Sequence, residues 1–204
     1  MKYILVNYNS DPSWISEYTD DYFIYDRSDD GIDRKIPADK FVKRENIGHC
    51  DYDKLSYLID NYNDLPEIFF LGKVNLFRHI PKDEFDTIRD VKDFTSVHSR
   101  RHKTYMPVCF YDTIGMYYEV NNSWYLNKDP AKYFDNYGQF AKRFQLPNPP
   151  YIPFGPGANF FLTRERVHRY GVDYYEGLRS ILPYCTLPGE AQMLERSYYT
   201  MWKN

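Results

Sequence analysis

The sequence predicts an α/β protein whose mostly parallel central sheet is flanked by helices, and three observations support that fold class. Short apolar runs at Tyr3 to Tyr8, Tyr22 to Tyr25 and Glu67 to Leu71 read as buried strands. Helical patterns fall between them, giving the order strand, helix, strand, helix, strand. Apolar strands also join segments rich in Gly, Asn and charge, the way such a sheet builds a ligand site at its strand ends.

The first strand delivers Asn7, Tyr8 and Asn9 to one sheet edge. Asp11-Pro-Ser-Trp-Ile then starts a helix, with Ser10 or Asp11 as cap and Pro12 near the first turn. Asp26 to Gly31 is the polar turn that closes the second strand. A lysine-rich connector leads through Phe41-Val42 to the turn Asn46-Ile-Gly-His. Leu55, Leu58, Ile59 and Tyr62 then recur at helical spacing over Asp51 to Tyr62. Asp64-Leu-Pro breaks that helix before the third strand. Residues 81–150 are less regular and read as insertions and short helices covering the sheet. A strand around Asn159-Phe-Phe-Leu follows, then a helix from Arg164 to Leu182. The terminal helix from Gly189 carries an apolar stripe of Met193, Leu194, Tyr198 and Met201 or Trp202.

A chain of 204 residues suits a single domain with a real core. Its net charge of −3 supplies no global field for nucleic acid or an anionic membrane. The local exception is His98-Ser-Arg-Arg-His-Lys103, for which a solvated loop is the commoner reading. Cys50, Cys109 and Cys185 lie far apart without paired or metal-ligand spacing, which fits a reducing compartment. The apolar run at the N-terminus is too short for a signal peptide or a membrane span, so a cytoplasmic location is expected. The 22 Tyr and 14 Phe suit the wall of a sugar or base pocket, although compositional drift is the simpler account of the excess. A Walker loop, a dinucleotide Gly fingerprint, a zinc cluster and a Ser-His-Asp arrangement are all missing, which disfavours kinase, dehydrogenase and hydrolase chemistry.

Several segments occur in a telling order: Tyr8-Asn9 with Trp14, Asn46-Ile-Gly-His, Tyr57-Leu-Ile-Asp-Asn-Tyr-Asn-Asp-Leu-Pro, Gly157-Ala-Asn-Phe-Phe-Leu-Thr-Arg-Glu-Arg and Glu190-Ala-Gln-Met-Leu-Glu-Arg. In these segments the sequence resembles a family of small bacterial and fungal proteins related to nucleotide-sugar glycosyltransferases of the GT-A type. The resemblance covers the first eighty residues and the last fifty. It implies one Rossmann-like domain over 1–204, with a nucleotide-binding half at 1–80, an irregular insertion at 81–150, and the acceptor side with C-terminal helices at 151–204. The implied activity is transfer of a sugar from a nucleotide-diphosphate donor to a hydroxyl acceptor. That acceptor is a glycan or lipid-linked glycan, or alternatively a hydroxymethylated base in phage DNA. A non-catalytic nucleotide-sugar or glycan-binding module is the alternative of a different class.

On this reading Asn7, Tyr8 and Asp26 serve base and ribose, while Asn46, Gly48 and His49 at a helix N-terminus, with Lys73, Asn75 and Arg196, complete the donor side. Glu190 is the candidate base, and its plainer role is to complement the helix dipole. Asn159 and His79 fall on the acceptor side, and Trp14, Trp124 and Tyr151 are candidate stacking platforms. One departure matters. Enzymes of this type place an Asp-x-Asp after the third strand to hold Mg²⁺ or Mn²⁺, whereas here that place reads Gly72-Lys-Val-Asn75. Either Lys73 neutralises the leaving diphosphate in place of a metal, or Asp26, Asp29 or Asp30 holds one.

Overall fold

The computed structural model describes residues 1–123, 126 and 128–203, so the stacking candidate Trp124 lies outside the described residues. The strands are β1 (Lys2–Asn7), β2 (Tyr22–Asp26), β3 (Phe41–Lys43), β4 (Ile68–Lys73), β5 (Thr95–Ser96), β6 (Cys109–Tyr111), β7 (Tyr117–Val120), β8 (Tyr151–Pro153) and β9 (Phe160–Thr163). Six of them form one sheet in the order β3-β2-β1-β4-β9-β5, and β6-β7-β8 form a small second sheet. β1 runs parallel to both β2 and β4, and β2 parallel to β3, while β9 is antiparallel to β4 and β5. The helices are α1 (His49–Asp60), α2 (Lys82–Ile88), α3 (Tyr137–Arg143), α4 (Arg164–Val167), α5 (Val172–Ser180) and α6 (Gly189–Lys203). The fold is therefore a mixed α/β domain with a mostly parallel six-stranded sheet.

Strand alternation divides the core in two, because successive side chains leave a strand on opposite faces. Ile4, Val6, Phe69, Leu71, Phe160 and Leu162 join the cluster that includes Leu55, Leu58, Tyr175, Leu178, Leu194 and Trp202 of α1, α5 and α6. Tyr3, Leu5, Phe70 and Phe161 point the other way, onto Ile15, Leu76, Ile80 and Phe85. Both faces of the sheet are covered, so its strands read as unbroken apolar runs.

Three expectations about elements change, and two stacking candidates turn out to pack within the fold. The helix expected at Asp11 is a 3-10 turn over Ser13–Glu17, whose first N–H, that of Ser13, donates to the Asp11 carboxylate at 2.9 Å. The helix expected from Arg164 to Leu182 is broken into α4 and α5, with Gly171 extended at the start of the second. Residues 81–150 do more than cover the sheet: they supply β5 to it and most of the second sheet. Trp14 donates its indole N–H to the Val74 carbonyl at 2.8 Å and meets Phe77 edge-on, so it packs the base of the β4 turn. Tyr151 likewise packs edge-on against Phe110 in the second sheet.

The parallel register sets what reaches the working edge. Asn7 lies beside Asp26, and Val6 beside Lys73, so β1, β2 and β4 all end on one side of the sheet. The strand order reverses direction there, between β1 and β4, which is where open α/β sheets leave a crevice.

Candidate functional site

A cavity of about 600 Å³ opens beyond β4, lined in part by Lys73, His79, Gly157, Glu195 and Arg196. Each lining group is placed by a different element. Lys73 ends β4, and its backbone N–H donates to Asn159 Oδ1 at 2.9 Å, which ties the strand end to the residue preceding β9. Asn159 is fully buried, and its Nδ2 has no partner among the described residues. Gly157 has φ +95°, and a Cβ there would lie 2.5 Å from the His79 ring, so both conformation and space demand glycine. Its N–H donates to Glu195 Oε1 at 2.8 Å, joining the Phe154 to Ala158 turn to α6.

Beneath the cavity lies an unusual set of buried charges at the start of α1. Gly48 and His49 are both left-handed, with φ of 69° and 55°, and their N–H groups donate to Cys185 and Thr186 carbonyls rather than to a ligand. The turn swings the His49 ring back over its own helix, with Nδ1 2.7 Å from Asp51 Oδ2 and 3.4 Å from Cys50 Sγ. Tyr198 donates its hydroxyl to the other Asp51 oxygen at 2.9 Å. Lys54, buried on the same helix, donates to the Ala158 carbonyl.

These charges hold one another in place. Burial works against Asp51, but the His49 ring together with Lys54 and Lys73 keeps its carboxyl well below the usual range. Burial also works against protonated His49, which Cys50 and Asp51 nevertheless hold up to about 10. Lys73 keeps its proton despite burial because Cys50, Glu195 and Asp51 surround it. Glu195 stays ionised despite burial because Arg196 and Lys73 outweigh it. His79 goes the other way: burial and the Lys73 charge push it down to about 4, so the ring is neutral.

Arg196 forms one wall. Its guanidinium donates to Glu119 at 2.7 Å and Glu195 at 3.1 Å and lies 4.5 Å over the Phe154 ring. His102 and Lys103 reach the cavity from the segment before β6, and Tyr117 and Glu119 from β7, so the irregular middle of the chain builds the far wall.

The structure brings His49, Lys73, His79 and Arg196 to this cavity, with Asn159 directly beneath Gly157. It does not bring the rest there. Asn7, Asp26 and Ser28 form a closed network at the ends of β1 and β2, in which Asn7 donates to Asp26 at 3.2 Å and Lys43 pairs with Asp26 at 2.7 Å. Tyr8 is half exposed and hydrogen-bonds Asp29. Asn46 is half-buried in the turn before α1, and Asn75, also half-buried, follows β4 with no partner for its Oδ1 among the described residues. Neither of them lines the cavity.

Glu190 requires a correction. It is fully buried at the start of α6, where one oxygen accepts the N–H groups of Lys132 and Tyr133 at 2.8 and 2.7 Å. The other accepts the Tyr184 hydroxyl. Glu190 therefore staples the 130–133 segment to α6 and does not face the cavity. Glu195 does. Local sequence pattern assigns no site role to Glu195, Asp51 or Lys54. One signal was available: Asp51 stands in register with Leu55 and Leu58, on the apolar stripe where a solvated charge does not belong.

His49 Nδ1, Cys50 Sγ and an Asp51 oxygen lie within 4.8 Å of one another and can hold a metal ion. A mixed N, S and O set suits zinc-like ions rather than Mg²⁺ or Mn²⁺, which prefer oxygen. The carboxylates considered for those hard ions are engaged elsewhere: Asp26 with Lys43, Asp29 with Asn9 and Asp30 with Arg34. The residues present do not make an oxygen cage.

A second cavity, of about 520 Å³, is lined by Ser96, His98, Arg100 and residues of α2, and none of the buried charges of the α1 cluster reaches it. Comparison with known proteins shows that a family model with the description "Protein of unknown function (DUF3431)" matches residues 4–204. Neither the curated proteins nor the solved structures contain a match to the chain.

Proposed function

The chain belongs to the DUF3431 family, and from its cavity we propose that it transfers a sugar from a nucleotide-diphosphate donor to a hydroxyl acceptor, as its resemblance to GT-A glycosyltransferases implies. One observation carries this reading. Lys73, at the end of the strand where the sheet order reverses, keeps its ammonium at a cavity that the ionised Glu195 also lines, each charge helping to hold the other. A cation suits the diphosphate and a carboxylate the acceptor.

In an inverting transfer, the acceptor oxygen bonds to the sugar anomeric carbon while its proton passes to Glu195. The anomeric carbon–oxygen bond to the diphosphate breaks with its electron pair, and Lys73 offsets the charge that develops on the leaving group. Among the described residues each Glu195 oxygen has one hydrogen-bond partner, leaving a lone pair to spare. Glu195 thus takes the base role expected of Glu190. His79, being neutral, orients a hydroxyl or phosphate oxygen without adding charge.

Calorimetry with uridine, guanosine and cytidine diphosphate-sugars tests this. One of them should bind, and Lys73→Met should weaken it about 10- to 100-fold, the worth of a hydrogen bond to a charged group. Failure of all three classes to bind would sink the proposal. The non-catalytic module remains the second reading, favoured by Lys73 standing where paired carboxylates are expected. It predicts binding without any sugar release or transfer.

A further inference from the structure

The segment from Val97 to Tyr111 contains Arg100, Arg101 and Lys103 and no acidic residue, in a chain of net charge −3. Its last part projects an apolar tip. Tyr105 is 61% exposed, Met106 72% and Val108 36%, with Pro107 exposed between them. The tip is built rather than loose: Val108 and Cys109 N–H groups both donate to the Tyr105 carbonyl, and Val120 N–H donates to the Val108 carbonyl at 2.7 Å. The backbone of β7 therefore anchors it. Tyr105 and Val108 also line the 600 Å³ cavity together with Lys103, so the tip is the cavity's own rim.

We propose that this rim docks on an anionic lipid surface, with Tyr105, Met106 and Val108 entering the headgroup region and Lys103 facing the lipid charge. Three arguments favour lipid over protein. A tip of a few residues falls short of the roughly 800 Å² per partner that a stable protein interface needs. An exposed Tyr and Met flanked by cations is the composition that sits at a membrane–water boundary, where the aromatic ring has an apolar body and a polar end. The basic flank supplies the complementary charge that the whole chain lacks. Arg101 contributes less, since Glu84 and Asp83 already hold it. Docked in this way, the cavity mouth opens against the lipid headgroups.

This inference does not depend on the sugar-transfer proposal, and it is tested without any nucleotide. The full chain is mixed with vesicles of phosphatidylcholine alone or with 30 mol% (~30%) phosphatidylglycerol, then sedimented, at low and high salt. Binding should appear only with the anionic lipid and weaken with salt. Met106→Asp with Val108→Asp should reduce it by about tenfold or more, and Lys103→Gln by roughly fivefold, in line with the contribution of one cation near an anionic surface. A Tyr105→Trp variant should show a blue-shifted emission on the same vesicles, reporting entry into the headgroup region even if the double variant misfolds. No binding, equal binding to both vesicle types, or an unshifted emission would each overturn the proposal. So would self-association, or duplex DNA binding, that the tip substitutions abolish while vesicle binding is unaffected.

Discussion

The ends of β1 and β2 and the end of β4 lie on the same side of one sheet, yet they carry opposite kinds of polar network. At the first, Asn7, Asp26, Ser28 and Lys43 spend their hydrogen bonds on one another and on the adjoining Asn9 and Ser10 N–H groups. At the second, Lys73, His79 and Glu195 line open volume, and the Asn159 Nδ2 beneath them has no partner among the described residues. A closed network fixes the position of two strand ends and a turn. One that leaves charge facing a cavity is held ready for a ligand, because the surrounding ions have already offset the cost of burying it. The parallel half of the sheet is thus the scaffold, and the site lies across β4 toward β9 and α6.

The same contrast recurs within α6 and gives the largest expected effect. Glu190 and Glu195 are separated by little more than one helical turn, but the first is consumed by Lys132, Tyr133 and Tyr184 while the second faces the cavity. Glu195→Gln should lower turnover by roughly 10²- to 10⁴-fold with donor affinity little changed, measured by steady-state kinetics alongside calorimetry. Glu190→Ala should instead cost about 3 kcal/mol of stability in urea unfolding, since it strands two backbone donors and a hydroxyl. Turnover per folded molecule should survive it. An inactive but fully stable Glu190→Ala protein would reverse the two roles.

A smaller effect tests the scaffold directly. Asp26→Ala removes the acceptor shared by Asn7 and Ser28 and the partner of Lys43, and should cost about 2 kcal/mol of stability. Donor affinity measured below the unfolding transition should stay within about threefold of the parent, too small a change for a lost charged hydrogen bond. A selective loss of affinity with normal melting would break the distinction and return Asp26 to the donor site.

How far this division can be read in the sequence varies by element, for physical reasons. β4 and β9 are legible because a strand buried on both faces needs an unbroken apolar run, as in Ile68-Phe-Phe-Leu and Phe160-Phe-Leu. Lys73 was legible as a misfit to its resemblance. The second sheet was not, since strands of three and four residues are too short to show alternation. Nor could sequence separate Glu190 from Glu195. Both stand on one helix with the same chemistry, and the difference lies in where residues 130–133 and Gly157 come to rest. Those are contacts across many tens of residues, invisible to local pattern.

The smallest effect concerns pH and again separates buried cavity groups from scaffold. His79 and His98 are both pushed down to about 4, chiefly by burial, while in the unfolded chain they titrate near 6.5. Between those values the unfolded chain binds more protons than the fold. The stability these rings allow is therefore complete above pH 6.5 and is lost as pH falls toward 4. His49 has the opposite sign, its contribution being complete below 6.5 and lost as pH climbs toward 10. Melting temperature should accordingly fall on both sides of a near-neutral maximum. In a His79→Asn, His98→Asn double variant the acid limb between 6.5 and 4 should flatten by the equivalent of about 1 kcal/mol, allowing for partial solvation of the rings. The alkaline limb should be unchanged, because His49 remains. An acid limb identical to the parent's would mean that these rings are solvated in the native protein, and the cavity would then be wetter than its lining implies.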